Sequence, residues 1–279
     1  MTMALNRNSN VYTVIYATVL TVLVAILLTI AAVGLAPQQK ANSDNEKKMQ
    51  ILSSISSVLG EEVTMENAAE IWNRLDMDNN MTVVNIKGEE LKDINAFELV
   101  AKQQFTAGVV KEDATLPLFI ANVNGQPYYI MCLYGAGLWG PVWGYISVAQ
   151  DCSTIAGACF DHDSETAGLG AKIKDDPSFA ASFVGKHVFQ GNEFAPVKVL
   201  KQGKKAPNGE DVVDAITGAT KTSDCVSTII ANSLSGYKEA LSRIAFLSAV
   251  CNDAPADSTV CCCDSLACDT INNVESVTE

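Results

Sequence analysis

This chain is short of histidine and of basic charge, and it has none of the long motifs that hold nucleotides. Only His162 and His187 are present. Neither has a histidine partner at helical i,i+4 spacing, and His162 with Asp163 and Glu165 falls short of a zinc ligand set, so metalloprotease chemistry lacks its residues and no metal site is expected. There is no G-x-x-x-x-G-K-[ST] segment and no G-x-G-x-x-G opening a βαβ unit, which removes nucleotide hydrolysis and a Rossmann dinucleotide site. No nucleophile elbow supports a hydrolase triad. Lysine and arginine number 19 against 32 aspartates and glutamates, a net charge of −13. Arg7 and Lys40 are the only charged residues among positions 1–40, so the remainder carries −15. Such a surface repels nucleic acid and anionic lipid.

Charge is also missing from one long stretch. No residue from Asn8 to Gln39 is charged, and Thr13–Ala36 offers 24 uncharged, mostly apolar positions. At 1.5 Å per residue this is about 36 Å of helix, enough for a hydrocarbon core about 30 Å thick. The small residues near Ala31 and Gly34 come only after a full span, so the segment reads as an uncleaved anchor rather than a signal peptide. No comparable run follows. Lys40, Lys47 and Lys48 after the span against Arg7 before it lean, by local count, toward the soluble part lying inside.

Nine cysteines are present, an odd number. Cys132, Cys152, Cys159 and Cys225 lie in the body of the chain, whereas Cys251, Cys261, Cys262, Cys263 and Cys268 crowd its end. Three adjacent cysteines make poor metal-ligand geometry, so structural or idle thiols are expected, with a stapled tail as an option in an oxidising compartment.

The domain reads as α+β. An apolar stripe of Met49, Ile51, Leu52, Ile55, Val58 and Leu59 predicts a stalk helix, and Glu66–Leu75 predicts a second helix. Strands are predicted at Thr82–Ile86, Leu118–Val123, Tyr128–Tyr134 and Val142–Val148, with Asn124-Gly125 as a hairpin turn. A further hairpin is expected between His187–Phe189 and Pro196–Leu200. A closing helix from Thr222 to Leu247 carries Val226, Ile229, Ile230, Leu234, Tyr237, Leu241 and Ile244 on one face. Turns rather than crossover helices separate the strands, so a twisted antiparallel or mixed sheet with packed helices is expected. The predicted divisions are a short N-terminus over 1–12, a transmembrane helix over 13–36, a stalk over 37–60, the main domain over 61–248 and an acidic, cysteine-rich extension over 249–279.

The chemistry concentrates in Asp214-Ala215-Ile216-Thr217-Gly218-Ala219-Thr220, followed by Lys221 and Thr222. A glycine-containing turn opening a helix presents unpaired N–H groups to an anion, so this is a place to hold a phosphate. The same residues also suit an ordinary turn and helix cap. Two other segments could line a pocket. Tyr134–Pro141 sets Leu138 and Trp139 among glycines, where backbone and ring can both approach a flat ligand; a wide hairpin bend is the alternative. Glu165-Thr166-Ala167-Gly168-Leu169-Gly170 offers open peptide groups around an apolar side chain, or an ordinary surface turn. His162 is expected to order this loop by hydrogen bonding.

In order and spacing, Ala31–Gln39 after the anchor, Gly137-Leu138-Trp139 leading to Trp143-Gly144-Tyr145, Glu165–Gly170 and Asp214–Thr220 resemble the FMN-binding domain family, most closely the C subunits of sodium-translocating NADH:quinone reductases. The G subunits of Rnf complexes are a more distant resemblance and the alternative reading; a cofactor-free structural domain is a third. The resemblance implies FMN joined by a phosphoester to Thr220 by a flavin transferase. It also implies FMN contacts from Asp214, Thr217, Gly218, Ala219, Lys221, Thr222, Leu138, Trp139, Glu165, Thr166, Gly168, Leu169 and Gly170. It further implies an electron relay from NADH toward quinone, partner subunits including B, D and E, and a single-pass inner-membrane placement with the domain on the periplasmic side, against the local Lys/Arg count. Relatives commonly have proline where this chain has Ala167, and they end before the 249–279 extension.

Overall fold

The computed structural model describes residues 10–253, with side chains described for 10–248. The expectations for the first nine residues and for the cysteines of the 249–279 extension lie outside these limits. The described part falls into two units, one ending at Lys47 and one beginning at Lys48.

The first unit is a single helix. Helix α1 covers Asn10–Ser53 and continues through Pro37. Its N-terminal part is long and apolar enough to cross a membrane. Thr18, Thr21 and Thr29 turn their hydroxyls back onto carbonyls four residues earlier at 2.8–2.9 Å, so these polar groups are satisfied within the helix.

The second unit begins inside α1, ahead of residue 61 where the sequence reading starts the main domain. Ile51, Leu52 and Ile55 are fully buried and belong to the domain core. The stripe that reads as a stalk is covered because small residues let it approach the sheet. The Ser54 carbonyl accepts the Ser147 hydroxyl at 2.6 Å, and a Cβ on Gly157 would come within 2.4 Å of that same carbonyl. Two short helices follow, α2 over Ser56–Leu59 and α3 over Ala68–Arg74, the latter shorter than Glu66–Leu75.

Chain order then runs β1 (Met81–Asn85), the small hairpin β2 (Phe105–Thr106) and β3 (Val109–Val110), β4 (Thr115–Val123), β5 (Gln126–Ala136), β6 (Pro141–Val148) and β7 (Ile155–His162). The main sheet has the order β1-β4-β5-β6-β7, antiparallel throughout. Asn124 and Gly125, at φ 52° and 78°, make the two-residue turn joining β4 to β5, with Val123 opposite Gln126. Both positive angles suit the twist of the flanking strands. Strand β7 was not expected from the sequence. Its Ala156-Gly157-Ala158-Cys159 run shows neither alternation nor β-branched enrichment, yet it is buried on both faces.

Beyond β7 come α4 (Lys172–Asp175), α5 (Pro177–Ala181), β8 (Phe189–Gln190), β9 (Glu193–Phe194), β10 (Lys198–Leu200) and β11 (Val212–Asp214). Phe160, Phe179 and Phe183 form a ring triad with centroids 5.3–5.7 Å apart, fixing α5 on β7. The hairpin at Gly191 forms, but β8 pairs with β9. Strand β10 instead runs parallel to β11, with Leu200 beside Asp214.

The expected closing helix is two helices, α6 (Thr220–Ser235) and α7 (Lys238–Asp253). They part at Gly236, where a Cβ would lie 2.6 Å from Leu116, so the backbone presses onto β4. Val226, Ile229, Ile230 and Leu234 recur every three or four residues and are buried, each aliphatic side chain contributing about 1.5–3 kcal/mol. Just past the break, fully buried Tyr237 enters the sheet itself. The β4–β5 ladder ends at Leu118 opposite Met131. Beyond it the Tyr237 hydroxyl donates to the Pro117 carbonyl at 2.8 Å and accepts the Cys132 N–H at 3.2 Å. The side chain thus satisfies two backbone groups that the separating strands leave open.

Candidate functional site

Three segments distant in sequence meet at the end of the sheet where β5 turns into β6, and one carboxylate joins them. Glu165 is buried, 7% exposed. Its Oε1 accepts the backbone N–H groups of Leu138 at 2.7 Å and Trp139 at 3.1 Å, while its Oε2 accepts the Thr222 hydroxyl at 2.8 Å. A carboxylate removed from water requires such donors, and these three come from the β5–β6 turn and the first turn of α6.

Glycines make room for this arrangement. A Cβ on Gly170 would stand 2.4 Å from Glu165 Oε2 and 2.7 Å from Thr222 Oγ1; one on Gly137 would stand 2.6 Å from Glu165 Oε1. Gly137 is thus a site residue that sequence reasoning passed over. Its signals were a place in a glycine-rich run and in the Gly137-Leu138-Trp139 segment, neither of which pointed to Glu165.

The loop from Glu165 to Gly170 is itself ordered. His162 Nδ1 accepts the Glu165 N–H at 3.3 Å, and the Thr166 carbonyl accepts N–H groups from Leu169 and Ala171 at 3.1 and 3.0 Å. Gly168 takes a φ of 73° at the loop's bend. Thr166, Gly168 and Leu169 face outward, and Leu169 lies against Gly218, where a Cβ would meet its Cδ2 at 3.0 Å. This contact brings the loop to the Asp214–Thr220 turn.

That turn follows β11. The Ala215 N–H bonds to the Leu200 carbonyl at 2.7 Å, Gly218 has φ 83°, and the Ala219 N–H returns to the Ile216 carbonyl at 3.0 Å. Ser223, which reads in sequence as one more turn hydroxyl, locks it. Its Oγ accepts the Ile216 N–H and donates to the Ala219 carbonyl, both at 3.0 Å. Ala219 is the N-cap residue of α6 and contributes no side-chain cap. The first-turn N–H groups therefore remain at the positive end of the helix, favourable for an anion. Thr220 is the first helical residue and is half-buried; among the described residues its hydroxyl has no hydrogen-bond partner. Thr217 and Lys221 are exposed beside it, and Asp214 is exposed at the end of β11.

Around this polar corner lies apolar surface. Leu138, Trp139 and Leu169 are 47%, 66% and 44% exposed. Anion-seeking backbone, a partnerless hydroxyl and an apolar shelf fit the two ends of a flavin mononucleotide, phosphate and ring. No group of three or more metal-ligating side chains occurs among the described residues.

Comparison with known proteins defines the class first: residues 137–235, which span all three converging segments, match the FMN-binding domain family. The chain is 31% identical over 217 residues to the C subunit of the Na(+)-translocating NADH-quinone reductase of Vibrio vulnificus, covering 74% of this chain and 84% of the relative. It superposes on the crystal structure of the same subunit from Parabacteroides distasonis with a TM-score of 0.66 and 44% identity, over 74% of this chain and 96% of the other. NqrC of Shewanella oneidensis, 22% identical, shares the fold with a TM-score of 0.59 over 73% and 98% of the two chains. The chain belongs to the family of C subunits of the Na(+)-translocating NADH-quinone reductase.

Proposed function

We propose that this chain is the FMN-carrying subunit of a sodium-translocating NADH:quinone reductase and that it relays electrons from NADH toward quinone through FMN joined to Thr220. One observation carries the reading: the partnerless Thr220 hydroxyl stands at the uncapped start of α6, in the corner where Glu165 gathers the β5–β6 turn and the Glu165–Gly170 loop. In forming the phosphoester, Thr220 Oγ1 gains the bond to the flavin-side phosphorus of a flavin dinucleotide and gives up its proton, the P–O–P bridge of that donor breaks, and the nucleoside monophosphate half leaves. A dedicated flavin transferase presents that donor.

The surrounding residues have separate tasks. First-turn N–H groups of α6 and the Gly218 turn hold the phosphate, with Thr217, Lys221 and Asp214 around it. Leu138, Trp139 and Leu169 meet the ring, and Thr166, Gly168 and Gly170 offer backbone groups to its polar edge. Glu165 and Thr222 act beneath this surface by fixing its backbone. Bound FMN supplies the electron-transfer chemistry that no side chain here can perform. A covalent tether keeps the cofactor at one position through repeated turnover.

The apolar part of α1 supports a single-pass membrane anchor, and the proposal includes a domain on the periplasmic side with subunits B, D and E as neighbours. The quinone-reductase relatives favour this over the Rnf reading. Production of the full chain with a flavin transferase, followed by peptide mass mapping, tests the tether. An FMN mass increment on the peptide containing Thr220 is expected; a chain without flavin, or flavin on another peptide, contradicts the assignment.

A further inference from the structure

A second buried carboxylate stands at the base of the Glu165–Gly170 loop, with no part in the site described above. Asp161, next to last in β7, is 5% exposed. Its Oδ1 accepts the His162 N–H and the Lys174 ammonium, both at 2.8 Å, and its Oδ2 accepts the Gln50 side-chain amide at 2.9 Å. These donors have three origins. His162 precedes the loop, Lys174 lies in α4 just beyond it, and Gln50 comes from the last turn of α1. Gln50 in turn accepts the Trp143 indole N–H from β6 at 3.3 Å.

A carboxylate out of water holds its donors firmly, because each one lost leaves charge uncompensated. The Lys174–Asp161 pair therefore closes the chain segment 162–173 into a loop with a fixed base. From that base the order passes upward: His162 Nδ1 accepts the Glu165 N–H, and Glu165 holds Leu138, Trp139 and Thr222. Hydrogen bonds thus run without a break from Trp143 and Gln50 through Asp161 and His162 to Glu165.

We propose that Asp161 is a positioning residue for the flavin loop: its bonds to Lys174 and Gln50 form a clasp that holds Leu169 against Gly218 and Glu165 beneath Leu138 and Trp139. The clasp acts on the loop backbone, so it fixes the polar and apolar groups offered to the ring and thereby tunes the cofactor's potential. Only this last consequence rests on the reading of Thr220 as the tether.

The chemistry of the partners separates the variants. Asp161→Asn keeps the shape but turns an amide N–H toward the Gln50 amide, and flipping Gln50 would then oppose the Trp143 indole N–H. Lys174→Met removes the cation and keeps the length. Lys174→Arg keeps the cation and should restore the clasp.

Hydrogen exchange on the full chain made without flavin transferase reads the clasp directly, because Leu169, Ala171, Lys172 and Ile173 all donate backbone hydrogen bonds within the loop and the start of α4. Asp161→Asn and Lys174→Met should each speed exchange over residues 163–173 by roughly tenfold, the scale of losing a charge-assisted hydrogen bond, with β4–β6 unchanged and Lys174→Arg near the parent. In the flavin-loaded chain, the same two variants should shift the midpoint potential and visible spectrum while FMN stays on the Thr220 peptide. Unchanged exchange in Lys174→Met, or equal acceleration across the whole sheet, overturns the clasp. Should Asp161→Asn fail to fold, Lys174→Met and Gln50→Ala carry the test. FMN found on another peptide of the unsubstituted chain contradicts the tether, and the exchange result then still decides for or against the clasp.

Discussion

Thr222 donates its hydroxyl hydrogen bond to Glu165 across 2.8 Å, joining the first turn of α6 to a loop 57 residues earlier in the chain. The same carboxylate holds two backbone N–H groups of the β5–β6 turn. Removing it should therefore cost stability as well as order. Glu165→Ala leaves these donors without their partner, and a loss of about 1–3 kcal/mol in denaturant unfolding is expected. Glu165→Gln retains an oxygen for the N–H groups and should fall well below that. Equal stability of the alanine variant and the parent would show that water replaces the carboxylate without cost.

Gly170 makes the bond between Thr222 and Glu165 possible, since a Cβ there would stand within 2.7 Å of both side-chain oxygens. Gly170→Ala should force the pair apart, with the cost of about 1–3 kcal/mol typical of overpacking. The flavin-loaded variant should also show a shifted visible spectrum. Gly185 provides the control: it is exposed, with nothing within 4 Å of a Cβ, though its φ of 76° still carries a backbone penalty. Gly185→Ala should lower stability by that penalty alone and leave the spectrum unchanged.

Acid stability depends on Glu210. Its hydrogen bond to the Lys198 ammonium, with help from backbone N–H groups, pulls its pKa from 4.5 to about 2. A carboxylate depressed in the folded state stabilises fully above its unfolded value, and that contribution disappears as pH falls from about 4.5 to about 2. Glu210→Gln should flatten the pH dependence of the urea midpoint within this window and leave its slope above pH 5 unchanged. A parent-like slope in the variant would contradict the pairing.

The described cysteines are thiols, which makes the core independent of redox conditions. Burial pushes Cys152 and Cys159 up to about 12, so little thiolate exists near neutrality. Alkylation of the native domain at pH 8 should spare both, whereas Cys225, half-buried on α6, reacts slowly. Treatment with reductant should leave the unfolding midpoint of the 48–248 region unchanged; melting under reductant would contradict the thiol assignment.

Periodicity and turn chemistry made much of this fold legible. Strands β1, β4, β5 and β6 alternate or end at turn residues, and Asn124-Gly125 dictates its hairpin. Strand β7 was hidden because a run of alanine, glycine and cysteine carries no period, although those small residues are what let the 48–59 segment pack on the sheet. The break before Tyr237 had one signal, Ser235-Gly236, which loosens a helix interior, but the apolar stripe crosses it undisturbed and reads as one helix. At the site, Thr220 and its turn stood out by motif, and Glu165 by its loop. The roles of Glu165 as a brace and Ser223 as a lock arise from tertiary contacts between segments far apart, which no local pattern encodes.

The most direct test of the account is the flavin content of Thr220→Ala, made as the full chain beside its transferase and read by fluorescence on a denaturing gel and by peptide mass. The Thr220 hydroxyl has no partner among the described residues, so the variant should fold with stability within about 0.5 kcal/mol of the parent, as for a residue without a cap or core contact. It should carry no covalent FMN, while Thr217→Ala keeps it. Fluorescence retained by folded Thr220→Ala, with FMN mapped to Thr217 or Thr222, would contradict the central claim.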